Sequence, residues 1–230
     1  VENLFYNMIA RRKTLQKSAD DYAKIVDLLS RFAIHHKNVS FSCKKHGAAR
    51  TDIHSVAATS RLDSIRCVYG ASVAKNLIEV EVSSSSNHSS GCNFHMEGFV
   101  SNSNYIAKKT TLVLYINDRL VECSAMKRAI EIVYAATLPK ASKPFVYMSI
   151  ELPRDHIDVN IHPTKKEVSL LNQEVIIEKI QSEIESKLRN SNDTRTFQEQ
   201  KGELIQSTLT SMQSHLPASS LASGQKSQKT

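Results

Sequence analysis

The stretch TTLVLYINDRLVEC, residues 110–123, reads as strand, two-residue turn and second strand. Asn117 and Asp118 tolerate the positive φ that a tight hairpin turn requires, and apolar runs flank them on both sides. Ser124 is expected to cap the helix that follows. That helix carries Ala129, Ile130, Ile132, Val133 and Ala136 on its apolar face and ends before Pro139. Next comes KPFVYMSIELP (143–153), which is apolar at nearly every position. A strand with two apolar faces belongs in the middle of a sheet rather than at its edge.

Working outward toward the N-terminus, Tyr22, Ile25, Leu29 and Phe32, with Val26 and Ala33, recur on one helical face. Ser18 and Asp21 have the spacing of an N-terminal cap and its partner, and His35, His36 and Lys37 supply positive charge where a helix C-terminus favours it. Val39, Phe41 and Cys43 then alternate with Ser40, Ser42 and Lys44, and HGAAR turns the chain into TDIHSV, which predicts a hairpin. SRLDSIRCVYG predicts a helix from Ser60 that stops at Gly70. NLIEVEV and NFHMEGFVSN read as strands joined by an exposed Ser-rich loop over 83–91.

Toward the C-terminus, Asn172 precedes a helix with Ile176, Ile180, Ile184 and Leu188 at four-residue spacing and a supporting Glu183–Lys187 pair. Beyond residue 190 the chain turns polar and rich in Ser and Gln, the composition of a disordered linker. The order helix, strand pair, helix, strands, helix, strand, helix argues for an α+β fold. Its helices are expected mainly on one face of a mixed, mostly antiparallel sheet.

At 230 residues and 40% hydrophobic, the chain has enough apolar surface for a proper core. No apolar run approaches the ~18–20 residues a membrane helix needs, and no secretory or transit segment is expected. The chain begins with Val1 inside what reads as an ordered element, so a fragment is expected. A net charge of +7 is compatible with a polyanion partner, though basic proteins often have none. Cys43, Cys67, Cys92 and Cys123 never form a C-x-x-C pair; they read as reduced, mostly buried thiols of an intracellular protein.

The six glycines are too dispersed for G-x-G-x-x-G or a Walker-type loop, and no G-x-S-x-G appears. In DVNIHPTKKEV (158–168), Asp158, Asn160 and His162 share one face if the chain is extended. A polar strand face leading into a turn explains them better than a metal site, and no metal is assigned. His162-Pro163 predicts a rigid bend. Lys165 and Lys166 after it are either two solvated lysines or one phosphate-directed cation and its bystander, since neighbours on an extended chain face opposite ways.

Other basic groups gather at 10–13, Lys44-Lys45, Lys108-Lys109, Arg119, Lys127-Arg128, Lys140 and Lys143. Most have the bland reading of a solvated surface. Arg119 is the exception in being projected by a tight turn, which suits phosphate contacts. Aromatics are scarce near these groups, so sequence-independent backbone binding is expected over base stacking.

LFYNMIARRK (4–13), YINDRLVE (115–122) and DVNIHPTKKEV (158–168) together resemble the MutL family of DNA mismatch-repair proteins, in particular its eukaryotic homologue 1 type. The resemblance covers residues 1 to about 190. It implies a ribosomal protein S5 domain 2-like fold, the transducer domain that follows a GHKL-type ATPase domain. Residues 1–16 would be the edge of that ATPase domain, 17–190 the transducer and 191–230 a linker.

The resemblance also implies site residues and partners. The His-Pro-x-Lys lysine falls on Lys165 and would reach the γ-phosphate of ATP, whose Mg and remaining contacts lie mainly in the upstream domain. The x-N-x-R turn places Arg119 on a DNA-contacting surface, to which Lys108, Lys109, Lys127 and Arg128 would add. Asp118 stands where the family often has Gly or His. Expected partners are duplex DNA, a second MutL homologue of the PMS type as heterodimer, and MutS-type mismatch recognition proteins, with no membrane and a nuclear location. The fragment alone would not be an enzyme, whereas its parent would be a GHKL ATPase. An S5-like RNA-binding module is the alternative, and a type II topoisomerase domain fits DVNIHPTKKEV poorly.

Overall fold

A computed structural model describes residues 5–14, 18–58, 60–84, 93–138, 143–158 and 168–191. The chain divides into two compact units, Val1–Arg189 and Asn190–Thr230; the second is described only at 190 and 191. The first unit is built on a five-stranded sheet of order β3-β4-β7-β5-β6, comprising β3 (Leu77–Ser84), β4 (Phe94–Ser101), β5 (Thr111–Ile116), β6 (Arg119–Val121) and β7 (Phe145–Glu151). All neighbours are antiparallel except β5 and β7, which run parallel with Thr111 opposite Phe145. The sheet is therefore mixed, and β7 is its middle strand as its composition requires.

Parallel neighbours need a long crossover, supplied here by β6 and the helix α5 (Ser124–Thr137). The expected cap of α5 is displaced by one residue. Ser124 is the first helical residue, and the cap is Cys123, whose Sγ accepts from the Met126 N–H at 3.4 Å. Cys123 has the extended backbone of a capping position, so its sulfur sits where a Ser oxygen would otherwise accept.

Period-two alternation sends the sheet's side chains into two cores. Leu114 and Ile116 of β5 and Val146, Met148 and Ile150 of β7 face one way, joining Met126, Ile130 and Val133 of α5. Ile176, Ile180, Ile184 and Leu188 of α6 (residues 173–191) complete that cluster. Val113, Tyr115, Phe145 and Tyr147 face the other way, against Ile34 of α2 (Ser18–His35) and Ile65 of α3 (Arg61–Tyr69). Helices α5 and α6 thus cover one face and α2 and α3 the other, where helices mainly on one face were expected. The second face needs this covering because it carries the large side chains of Tyr115 and Tyr147.

Smaller features follow local chemistry. Ser60 caps α3 by accepting from the Asp63 N–H at 3.1 Å. Gly70 ends the helix at φ +93°, where a side chain would be strained, and the four-residue α4 (Ala71–Ala74) starts at once. β1 (Ser42–Cys43) pairs with β2 (Ile53–His54) as the predicted hairpin. The helix α1 (Ile9–Thr14) stands at the N-terminus. The Ser-rich 85–92 segment and the Ser18 cap's side chain lie outside the described residues. Of the three described cysteines, Cys67 is exposed and Cys43 and Cys123 are half-buried, so the expectation of mostly buried thiols fails for them.

Candidate nucleic-acid interface

The hairpin between β5 and β6 turns on two residues in the left-handed region, Asn117 at φ +47° and Asp118 at φ +61°. Ile116 pairs directly with Arg119, so Arg119 is the first residue after the turn and is half-buried at its base. The turn is tied down on one side by Asn117. Its side-chain amide donates to the Leu152 carbonyl at 2.8 Å, and its side-chain carbonyl accepts from the Leu152 N–H at 2.8 Å. The Asn117 N–H adds a bond to the Ile150 carbonyl at 2.9 Å. Asn117 therefore acts as a short extra piece of strand at the end of β7.

On the other side Asp118 meets α2. Its Oδ1 lies 3.0 Å from His35 Nε2, and His35 Nδ1 lies 2.8 Å from the Tyr147 hydroxyl. The His35 ring stacks on Tyr115 with centroids 3.5 Å apart and planes within 2°. Tyr115 donates to the Arg31 carbonyl, and the Arg61 guanidinium sits 5.2 Å over the Tyr147 ring while donating to the Ile34 carbonyl at 3.1 Å. Burial holds His35 below the usual imidazole value against the opposing pull of Asp118, with Arg61 and His36 adding to the lowering. Burial likewise pushes Tyr115 and Tyr147 well above the usual phenol value.

Lys108 and Lys109 are exposed on the loop before β5, and Lys127 and Arg128 are exposed near the start of α5. The fold brings two of these four together. Lys109 and Lys127 line one cleft of about 340 Å³ with Arg31, Asp27, Glu122 and Ser124. Lys109 and Arg31 also line an adjoining groove of about 550 Å³ with Lys24, Ile25, Leu28 and Leu120. Arg31 is anchored to Asp27 at 2.8 Å and reaches the Leu112 carbonyl at 3.4 Å. Neither cavity is lined by Lys108, Arg119 or Arg128.

Sequence reasoning misses Arg31 and the His35–Asp118 pair. The only signal for Arg31 is its four-residue spacing from Asp27, which any solvated helix face shows. Lys165 and Lys166 lie outside the described residues, as does the His162-Pro163 bend. What borders them is defined. β8 (Ile157–Asp158) pairs with β9 (Ser169–Leu170), and Val168 and Leu170 are buried in the larger core. Residues 157–158 and 168–170 are thus pinned to each other and to the core.

By family match, the chain that carries this two-sided sheet and clamped hairpin is a DNA mismatch repair domain. The family model "DNA mismatch repair protein, C-terminal domain" matches residues 65–189, and the chain belongs to the MutL family of these proteins. It is 39% identical over 198 residues to DNA mismatch repair protein MLH1 of Saccharomyces cerevisiae, which covers 86% of this chain and 25% of that protein. Among solved structures, an "N terminal domain of a DNA repair protein" superposes with a TM-score of 0.67 at 22% identity, over 83% of this chain and 60% of that one. An Aquifex aeolicus MutL ATPase domain carrying a K252N mutation superposes with a TM-score of 0.54 at 18% identity, over 80% and 59%. These two likenesses bear on the fold alone. The chain spans about a quarter of the length of the curated relatives it matches.

Proposed function

We propose that this chain is the transducer domain of a MutL-type mismatch-repair ATPase. In this reading it senses bound ATP through Lys165 and contributes a sequence-independent surface for duplex DNA. Residues 1–16 belong to the edge of the preceding GHKL ATPase domain, 17–190 form the transducer, and 191–230 are a linker. That upstream domain would hold most of the nucleotide and its Mg, and the parent protein, rather than this piece, would carry the hydrolysis. A PMS-type MutL homologue and MutS-type recognition proteins are its proposed partners, in the nucleus.

The DNA part is carried by one observation, the meeting of Lys109 and Lys127 at a single cleft next to β6, the strand that Arg119 opens. A guanidinium on a clamped turn and two exposed ammonium groups suit phosphate oxygens, and contacts of this kind fix position without reading sequence. Lys108 and Arg128, exposed nearby in the chain, would widen the same field. The ATP part rests on DVNIHPTKKEV and on family membership, because Lys165 itself is not described.

The test is the salt dependence of duplex binding by the full-length protein. Removing one cation that neutralises a phosphate lowers the slope of log affinity against log salt by about 0.9. Arg119→Ala, Lys109→Ala and Lys127→Ala should each flatten the slope by about that amount and weaken unrelated duplexes equally. Unchanged slopes in all three would refute the surface. A strong preference for structured RNA over duplex DNA would favour an S5-like RNA-binding module instead.

A further inference from the structure

Beside Arg119 stands a carboxylate, which at a phosphate-binding surface should be a handicap. Asp118 is 88% exposed and free to face water, yet its Oδ1 is 3.0 Å from the Nε2 of a His35 side chain that is only 3% exposed. A carboxylate only accepts, so Nε2 must carry the proton; the neutral ring then accepts at Nδ1 from the Tyr147 hydroxyl, 2.8 Å away. One tautomer satisfies both partners. Behind it, Tyr115 and Tyr147 are fully buried on β5 and β7, so the chain of contacts runs from the turn into the middle of the sheet.

The other side of the turn is held by Asn117 on Leu152. With Asn117 gripping β7 and Asp118 gripping α2, the backbone from which Arg119 projects is held on both sides. We propose that Asp118, acting through His35, positions Arg119 for contact with the phosphate backbone of duplex DNA. Asp118 and His35 are then positioning residues, and the cation's orientation outweighs the local repulsion that the carboxylate adds. This rests on the DNA-binding reading of the hairpin.

The two views of Asp118 predict opposite signs. If it is only a surface acid, removing its charge by any route tightens DNA binding. If it is a strut, the outcome depends on what replaces it. Asp118→Asn keeps the acceptor for Nε2–H and tolerates positive φ, whereas Asp118→Gly tolerates positive φ and has no acceptor.

Duplex affinity of the full-length protein is measured by fluorescence anisotropy over a range of salt, for both variants and for Arg119→Ala. Asp118→Asn should bind as tightly as the parent or more so. Asp118→Gly should bind about three- to tenfold more weakly than Asp118→Asn, as expected when a charge-assisted hydrogen bond to phosphate is weakened, with a slope flattened toward that of Arg119→Ala. Equal binding by the Asn and Gly variants, or tighter binding by Gly, overturns the proposal. The exchange of the His35 imidazole N–H with water is recorded alongside by NMR. The His35 Nε2–H proton should stay protected from exchange in Asp118→Asn and exchange faster with water in Asp118→Gly, and equal protection in Gly overturns the strut whatever the DNA result. Wild-type affinity in Arg119→Ala would instead overturn the DNA reading of the hairpin.

Discussion

Replacing Asn117 by Gly removes both side-chain bonds to Leu152 while leaving the φ +47° turn conformation accessible. Leu152 is 7% exposed, so its N–H and carbonyl lose partners in a place that water reaches only partly. Each unsatisfied buried group costs about 1–3 kcal/mol, and the turn's exposed side allows some rehydration, which puts the loss near 2–3 kcal/mol. Added backbone freedom of Gly in the unfolded chain is roughly offset by relief of the left-handed backbone strain that Asn carries at φ +47°. At about 2–4 °C per kcal/mol for a chain of this size, the melting midpoint followed by circular dichroism should fall by roughly 4–12 °C. Asn117→Asp separates the two bonds. It can still accept from the Leu152 N–H, but at neutral pH its carboxylate faces the Leu152 carbonyl with no proton to donate. That raises its folded-state pKa, so its stability should rise as the pH is lowered toward the carboxylate range, opposite in sign to a salt-bridged acid. A midpoint for Asn117→Gly within 1–2 °C of the parent, the shift of less than about 1 kcal/mol, would refute this account of the turn, as would an unaltered pH profile for Asn117→Asp.

Gly98 on β4 sits where an added Cβ would lie 2.5 Å from the Tyr147 carbonyl oxygen and 3.3 Å from Met148 Cα, both backbone atoms of the central strand. Gly98→Ala should therefore destabilise by about 1–3 kcal/mol or more, read as a lower denaturation midpoint with unchanged m-value. His35 faces Asp118 from the turn, Arg61 of α3, His36 beside it in the chain, and Tyr115 and Tyr147 of the sheet. Its folded pKa is lowered, so the folded state binds fewer protons than the unfolded one. The associated stability is present above about pH 6.5 and is lost as pH falls through the folded value. Melting between neutral and mildly acidic pH should show this fall in the parent and a flatter profile in His35→Gln. If Lys165 is the ATP contact proposed above, Lys165→Ala in the full-length protein should depress ATP hydrolysis while Lys166→Ala does much less, because neighbours on an extended chain face opposite ways. Equal losses in a steady-state phosphate-release assay would count against Lys165.

Much of the fold was legible in the residues because burial leaves a periodic trace. The nearly all-apolar run of 145–150 announced a strand covered on both faces, and Asn117-Asp118 announced the left-handed turn. The helix over 60–70 was bounded correctly by Ser60 and Gly70. Three separated motifs also pointed to the MutL family, and the family match over 65–189 spans two of them, 115–122 and 158–168. The capping of α5 was misread because a Ser is a better acceptor than a Cys, and only the backbone geometry at 123 decided between adjacent residues.

Other features depend on which strand lies beside which. A period-two pattern says that a face is buried and leaves open what buries it. The insertion of β7 between β4 and β5 made the sheet mixed and gave its second face to α2 and α3. The same assembly brought His35 within reach of Asp118, 83 residues away, and of Tyr147, 112 residues away. Lys109 and Lys127 came to share a cleft with Arg31 for the same reason. Local chemistry wrote the elements and the turn into the chain, whereas interactions across such separations exist only once long-range strand pairing has closed the loops between them.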